Sequence, residues 1–260
     1  MTTLAEVVAD LAEEQRILDE LLAGLTGDQW SAPTLAEGWD IRDTVGHLAD
    51  TDDMMFSSTT GQPASNLVDI AAEQPGVEDL APEDRVDAFT AWQVARVRKL
   101  PPLEVYAWWR SAIARNRETI AGYDPAQKYA WGGNMLSPLS LASARIMETW
   151  AHSLDIHGGL GLDLPDTDRL SHIAHLGLRA LPYAFTLVGL TPPGGVRLEL
   201  TLPSRAALKL GPDDAPTLIR GTAGDWCRIV ARRDRDGSAD RLHAEGPDAA
   251  NVIKHGRAFL

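Results

Sequence analysis

The hydrophobic rhythm of this chain changes once, at Thr191-Pro-Pro-Gly-Gly195, and that change demands two kinds of architecture in one polypeptide. Before it, apolar residues recur at three- and four-residue spacing, as they do in helices with one buried face. After it, Val196-Arg-Leu-Glu-Leu-Thr-Leu202 alternates with period two, the pattern of a half-buried strand. A chain of 260 residues has room for both parts, each with its own core.

The helical part divides at its punctuation. Leu4, Val7, Val8, Leu11, Leu18, Leu21 and Leu22 predict a first helix over residues 3 to 24, closed by Gly24 and Gly27. Asp40 reads as the N-cap of a second helix over residues 41 to 56, with Asp43 three residues on in a capping box. Residues 57 to 82 read as an irregular excursion, and a third helix is expected over residues 82 to 123, breakable at Pro101-Pro102. A loop over residues 123 to 137 follows. Ser137-Pro138 then pairs a cap with proline at the first helical position of a fourth helix, which Gly158-Gly159 ends.

Four helices joined by polar loops predict a bundle over residues 1 to 162. Residues 163 to 195 are expected to form a connecting helix and linker. Residues 196 to 260 are expected to form a smaller α+β domain, with further strands near 207 to 210 and 217 to 219 and helices near 222 to 233 and 247 to 258. The fold class expected is therefore α followed by α+β.

The formal net charge of −13 disfavours nucleic acid and anionic lipid as partners. No stretch approaches the ~18 uninterrupted apolar residues of a membrane span. The acidic N-terminus lacks the basic start and apolar run of a signal peptide. Cys227 is the sole cysteine, so an internal disulfide is excluded, and a cytoplasmic location is expected. There is no G-x-S-x-G elbow, phosphate-loop motif or dinucleotide fingerprint after a strand, which removes the common hydrolase, P-loop and Rossmann chemistries.

The chemistry-bearing residues lie on two of the helices. Glu148 and His152 are four apart and project from one face of the fourth helix. Apolar residues on both sides of that helix predict burial, and a buried carboxylate at Glu148 needs compensation from a metal ion, from Arg145 or from another cation. On the second helix His47 sits at the border of the stripe Ile41, Val45, Leu48 and Met55. If the bundle faces these helices together, His47, Glu148 and His152 form a three-ligand site with a further position for water or substrate. Asp43, one turn before His47, and Asp155, three residues after His152, are the expected holders of the free ring nitrogens. Read singly, His47 is an ordinary structural histidine, and a Glu–His pair at this spacing is commonly just solvated.

Residues Glu37-Gly-Trp-Asp-Ile-Arg-Asp-Thr-Val-Gly-His47-Leu resemble the G-W-x-(V/I)-x-D-x-x-x-H-L segment of DinB-like, mycothiol-dependent maleylpyruvate isomerase N-terminal domains. Trp30-Ser-Ala-Pro-Thr34 is similar to the W-x-x-P-T lead-in of that family. Ala144-Arg-Ile-Met-Glu148-Thr-Trp-Ala-His152-Ser-Leu-Asp155 resembles its R-x-M-E-x-W-x-H-x-x-D segment. The resemblance implies a DinB-like four-helix bundle binding a divalent metal, usually zinc, through His47, Glu148 and His152; histidine and carboxylate ligands also suit nickel, iron and manganese. It also implies a low-molecular-weight thiol such as mycothiol as cofactor, a small-molecule substrate, and an isomerase or thiol-transferase activity.

Gly221-Thr-Ala-Gly-Asp-Trp-Cys-Arg-Ile-Val-Ala-Arg-Arg233 resembles a stretch of the family's sterol-carrier-like C-terminal domain and makes Arg233 the candidate catalytic arginine. Trp226 there replaces the usual leucine, and Arg232 a glycine. Two rival readings are a non-catalytic metal-binding or sensing module, and a small-molecule carrier acting through the C-terminal domain. A homodimer is compatible with all three.

Overall fold

A computed structural model of the chain describes residues 2–62, 76–132 and 134–258. The chain divides into two compact units, Met1–Leu164 and Pro165–Leu260.

The first unit is helical. Its long helices are α1 (Leu4–Ala23), α2 (Ile41–Thr60), α4 (Pro102–Ala121) and α5 (Pro138–Gly159), with the shorter α3 (Pro82–Val97) laid against α2. The single third helix expected from sequence is thus two helices. Pro101 and Pro102 separate them because proline cannot donate its backbone nitrogen within a helix. The expected excursion over residues 57 to 82 lies partly outside the described residues; its first part continues α2 as far as Thr60. The expected loop after α4 contains a short antiparallel hairpin, β1 (Tyr129–Trp131) with β2 (Asn134–Leu136). Three residues per strand are too few to leave an alternating pattern in the sequence.

Capping fixes where the site-bearing helices begin. The Asp40 carboxylate accepts from the Asp43 backbone N–H at 2.8 Å, and the Asp43 carboxylate accepts from that of Asp40 at 3.2 Å. Ser137 Oγ accepts from the Ser140 N–H at 3.2 Å at the start of α5. Such caps are worth about 1 kcal/mol each. The core between the helices includes Leu18, Leu22, Trp30, Ile41, Val45, Leu48, Trp109, Ile113 and Ile156.

Two glycines permit close approaches that bear on the site. A Cβ at Gly46 would lie 2.4 Å from a Val97 methyl, so α3 can reach α2 only because this residue has no side chain. A Cβ at Gly159 would meet the Pro33 carbonyl oxygen at 2.3 Å, so the end of α5 lies against the loop that leads to Trp39.

The second unit begins with α6 (Leu170–Leu187), expected from sequence to be a connector. It is part of this unit's core instead: its buried Leu170, Ile173, Leu181 and Phe185 form an apolar face, and Trp226 Nε1 donates to the Ala174 carbonyl at 3.2 Å. The sheet has the order β4 (Ala207–Leu210), β3 (Val196–Thr201), β5 (Thr217–Thr222), β6 (His243–Glu245). Strands β3 and β5 run parallel, and the two outer pairings are antiparallel. Strand β3 buries Val196, Leu198 and Leu200 on one face, as its period-two pattern requires. The helices α7 (Ala223–Val230), α8 (Ser238–Arg241) and α9 (Ala249–His255) complete it. The fold class is helix-rich with a small C-terminal sheet. No helix among the described residues is long and apolar enough to cross a membrane.

Candidate metal centre

Three side chains from α2 and α5 converge in the first unit. His47, Glu148 and His152 each offer one ligand atom, and those atoms lie within 4.8 Å of one another. His152 Nε2 is 3.6 Å from a Glu148 carboxylate oxygen, and the rings of His47 and His152 meet edge to face with centroids 5.0 Å apart. Among the described residues this is the one cluster of three or more His, Cys, Asp or Glu side chains close enough to share an ion.

The surroundings leave Glu148 facing the imidazoles. Arg145, the cation that the sequence offered as its partner, is committed elsewhere: it holds Asp52 through two 2.9 Å contacts, with both side chains 1% exposed. Asn116 donates to the same carboxylate at 2.7 Å. The Glu148 side chain retains 22% of its exposure and His152 9%, so the cluster lies at a buried wall with one side open.

Of the ring nitrogens turned away from the cluster, that of His47 is hydrogen-bonded, whereas that of His152 has a carboxylate nearby but makes no hydrogen bond. His152 Nδ1 lies 3.2 Å from Oδ2 of the fully buried Asp155, at an angle that leaves the nitrogen without a hydrogen-bond partner. Asp43, the expected holder of His47, caps α2 and takes the Arg98 guanidinium at 2.6 Å. His47 Nδ1 instead meets Gln93 Oε1 at 3.0 Å, across the close α2–α3 contact. Sequence reasoning missed Gln93 because a lone glutamine 46 positions away carries no spacing signal. Trp39 was legible only as part of a motif. Its ring lies nearly parallel to that of His152, 6.1 Å between centroids, and 5.0 Å from that of His47.

Burial, and then the neighbouring His152, push the His47 imidazole down to about 4 despite the opposing pull of Glu148 and Gln93. A histidine held neutral at physiological pH keeps the lone pair that a metal ligand requires. The donor set of two imidazoles and one carboxylate, with the remote nitrogen of His47 hydrogen-bonded, therefore fits a divalent ion of the zinc type.

The remaining candidates lie in the second unit. Arg233 follows α7 and donates to the Ala231 carbonyl at 3.0 Å. The arginines near it do not gather into one anion site: Arg228 holds Asp166 at 2.8 and 3.0 Å, and Arg220 holds Glu199 at 3.0 Å. Cys227 is buried, its S–H directed at the Leu170 carbonyl, and burial pushes its thiol well up, which suits a structural residue rather than a nucleophile. A cavity of about 360 Å³ in this unit has a mixed lining, with Arg232, Asp234 and Lys254 beside Ile229, Ala239 and Ile253.

Fold and site together define a protein with a helical bundle that brings a His–Glu–His cluster to one point, and with a second, smaller α+β unit. Residues 11–157 match the mycothiol maleylpyruvate isomerase N-terminal domain, and the chain belongs to that family. An uncharacterized protein of Mycobacterium tuberculosis, found in strains CDC 1551 and H37Rv, is 38% identical over 97% of this chain and 94% of its own length. The crystal structure of the mycothiol-dependent maleylpyruvate isomerase superposes with a TM-score of 0.57, covering 95% of this chain and 96% of that one at 17% identity. A mutant of that enzyme gives 0.56 with the same coverage. At that identity the likeness is one of fold.

Proposed function

We propose that this chain is a metal-dependent enzyme that uses a low-molecular-weight thiol, mycothiol or a close equivalent, to isomerise or transfer onto a small electrophilic compound. The observation that carries the reading is the convergence of His47, Glu148 and His152, with the remote nitrogen of His47 hydrogen-bonded to Gln93. Family membership adds the thiol. Bound at this cluster, a divalent ion such as Zn²⁺ supplies the Lewis acidity that favours a thiolate, the nucleophile for reversible addition beside a carbonyl.

The chain's own residues do the positioning. His47 and His152 would hold the ion through their imidazoles, and Glu148 would supply the negative charge that offsets it. Gln93 is hydrogen-bonded to the far nitrogen of His47, Asp155 lies near that of His152, and the Trp39 ring lies against both imidazoles. The partly exposed Glu148 edge leaves an approach for thiol and substrate. Arg233, with a fixed charge and a planar fork, is the residue assigned to a substrate carboxylate. No protein nucleophile is needed, which agrees with a single buried cysteine.

Glu148→Gln tests the reading by elemental analysis and thiol-dependent turnover of a cis-enoyl acid. Loss of metal with loss of turnover is expected. Full metal occupancy with unchanged turnover would refute it.

A further inference from the structure

We propose that Asp50, acting through the side-chain amide of Gln93, fixes which nitrogen of His47 carries the proton and so keeps the Nε2 lone pair turned toward the metal position. The proposal rests on the metal reading above. Gln93 and Asp50 are 2% and 3% exposed. Gln93 Oε1 lies 3.0 Å from His47 Nδ1, and Gln93 Nε2 donates to Asp50 Oδ2.

The order of donors along this row follows from its last member. A carboxylate accepts hydrogen bonds and donates none, whereas a carboxamide has one end of each kind. With Asp50 at the far end, the Gln93 NH₂ must face Asp50, and its carbonyl must face the imidazole. The imidazole then meets an acceptor, so Nδ1 carries the proton and Nε2 is bare. His152 differs: a carboxylate oxygen of Asp155 lies 3.2 Å from its Nδ1, without the alignment of a hydrogen bond.

Asp50→Asn keeps the shape and removes the instruction. The introduced asparagine can offer its NH₂ to Gln93, whose amide can then turn over and present its own NH₂ to Nδ1. That makes Nδ1 the acceptor, moves the proton to Nε2, and blocks ligation there. The side chain also lines a cavity of about 350 Å³ beside Trp108 and Arg96, which gives room for the change. The swapped pair Gln93→Glu with Asp50→Asn restores the original order: the introduced glutamate accepts both from His47 Nδ1 and from the NH₂ of the introduced asparagine, and the net charge is unchanged.

The test uses the full chain in two states. In metal-free protein labelled with ¹⁵N-histidine, long-range ¹H–¹⁵N correlations at neutral pH should show His47 protonated on Nδ1. The spectrum should show a mixture or the Nε2 form in Asp50→Asn, and the Nδ1 form again in the swapped pair, with His152 constant throughout. Chelator competition should find zinc affinity lowered about tenfold in Asp50→Asn, the low end for such outer contacts, and recovered in the swapped pair. Thermal melting of each variant establishes that it is folded. An Nε2-protonated His47 in the parent protein, an unchanged tautomer in Asp50→Asn, or a swapped pair no better than the single variant would overturn the proposal. A parent protein with the expected tautomers but no zinc affinity would sink the metal reading alone.

Discussion

Replacing Gly46 by alanine sets two effects of known size against each other. Alanine is better than glycine in a helix interior by about 1 kcal/mol, so on local grounds Gly46→Ala should stabilise α2. Packing says otherwise. The added Cβ would sit 2.4 and 2.6 Å from the two Val97 methyl carbons, and Val97 is only 3% exposed. Relaxed carbon contacts lie at about 3.5–4.0 Å, so α3 must retreat by roughly 1 Å or Val97 must leave its rotamer. Overpacking of this kind costs about 1–3 kcal/mol, which equals or exceeds the propensity gain.

The expected net result is a loss of about 0–2 kcal/mol in the unfolding free energy of the first unit. A second effect follows from geometry. Gln93 is on α3, four residues before Val97, and a retreat of about 1 Å takes its amide beyond hydrogen-bonding reach of His47. Zinc affinity should therefore fall even where stability barely changes. The assay is urea unfolding with chelator competition, run on Gly46→Ala, Val97→Ala and the double variant. The double variant should be more stable than the sum of the singles predicts, by about 0.5–3 kcal/mol, since Val97→Ala removes the clashing methyls. A Gly46→Ala protein more stable than the parent with undiminished zinc affinity would refute the reasoning.

Two further outcomes are expected. Arg145→Met strands a buried Asp52 and should cost about 3–5 kcal/mol by urea unfolding, most of it regained in Arg145→Met with Asp52→Leu; a silent single variant would contradict the buried pairing. In the metal-free protein His47 is held down to about 4 against an ordinary value of 6.5, so as pH falls the unfolded chain takes up this proton before the folded one does. Its contribution to stability is full above about pH 6.5, declines by at most about 1.4 kcal/mol per pH unit toward about pH 4, and is constant below. Unfolding midpoints across that range should fall less steeply in His47→Leu, and identical acid profiles would contradict the assignment.

The sequence by itself determined the elements. Periodicity, caps and proline–glycine breaks placed α1, α2, α5 and β3 near their observed limits, because these signals act within a few residues of the backbone they govern. Glu148 and His152 were also local, one turn apart on a single helix. Asp155 lies within the same turn, its carboxylate 3.2 Å from the His152 ring. What only the tertiary structure decided was every pairing across helices. Asp43 looked equivalent to Asp155 along the chain, yet Arg98, 55 positions away, claims it. Gln93, unremarkable in its own helix, takes the place beside His47 because a glycine on α2 lets α3 come close. Arg145 could have served Glu148 or Asp52, and the bundle's geometry gave it to Asp52. Local backbone preference depends on neighbours in sequence and is written there. The partner of a buried polar group depends on which distant helix packs against it, and packing of the whole bundle sets that.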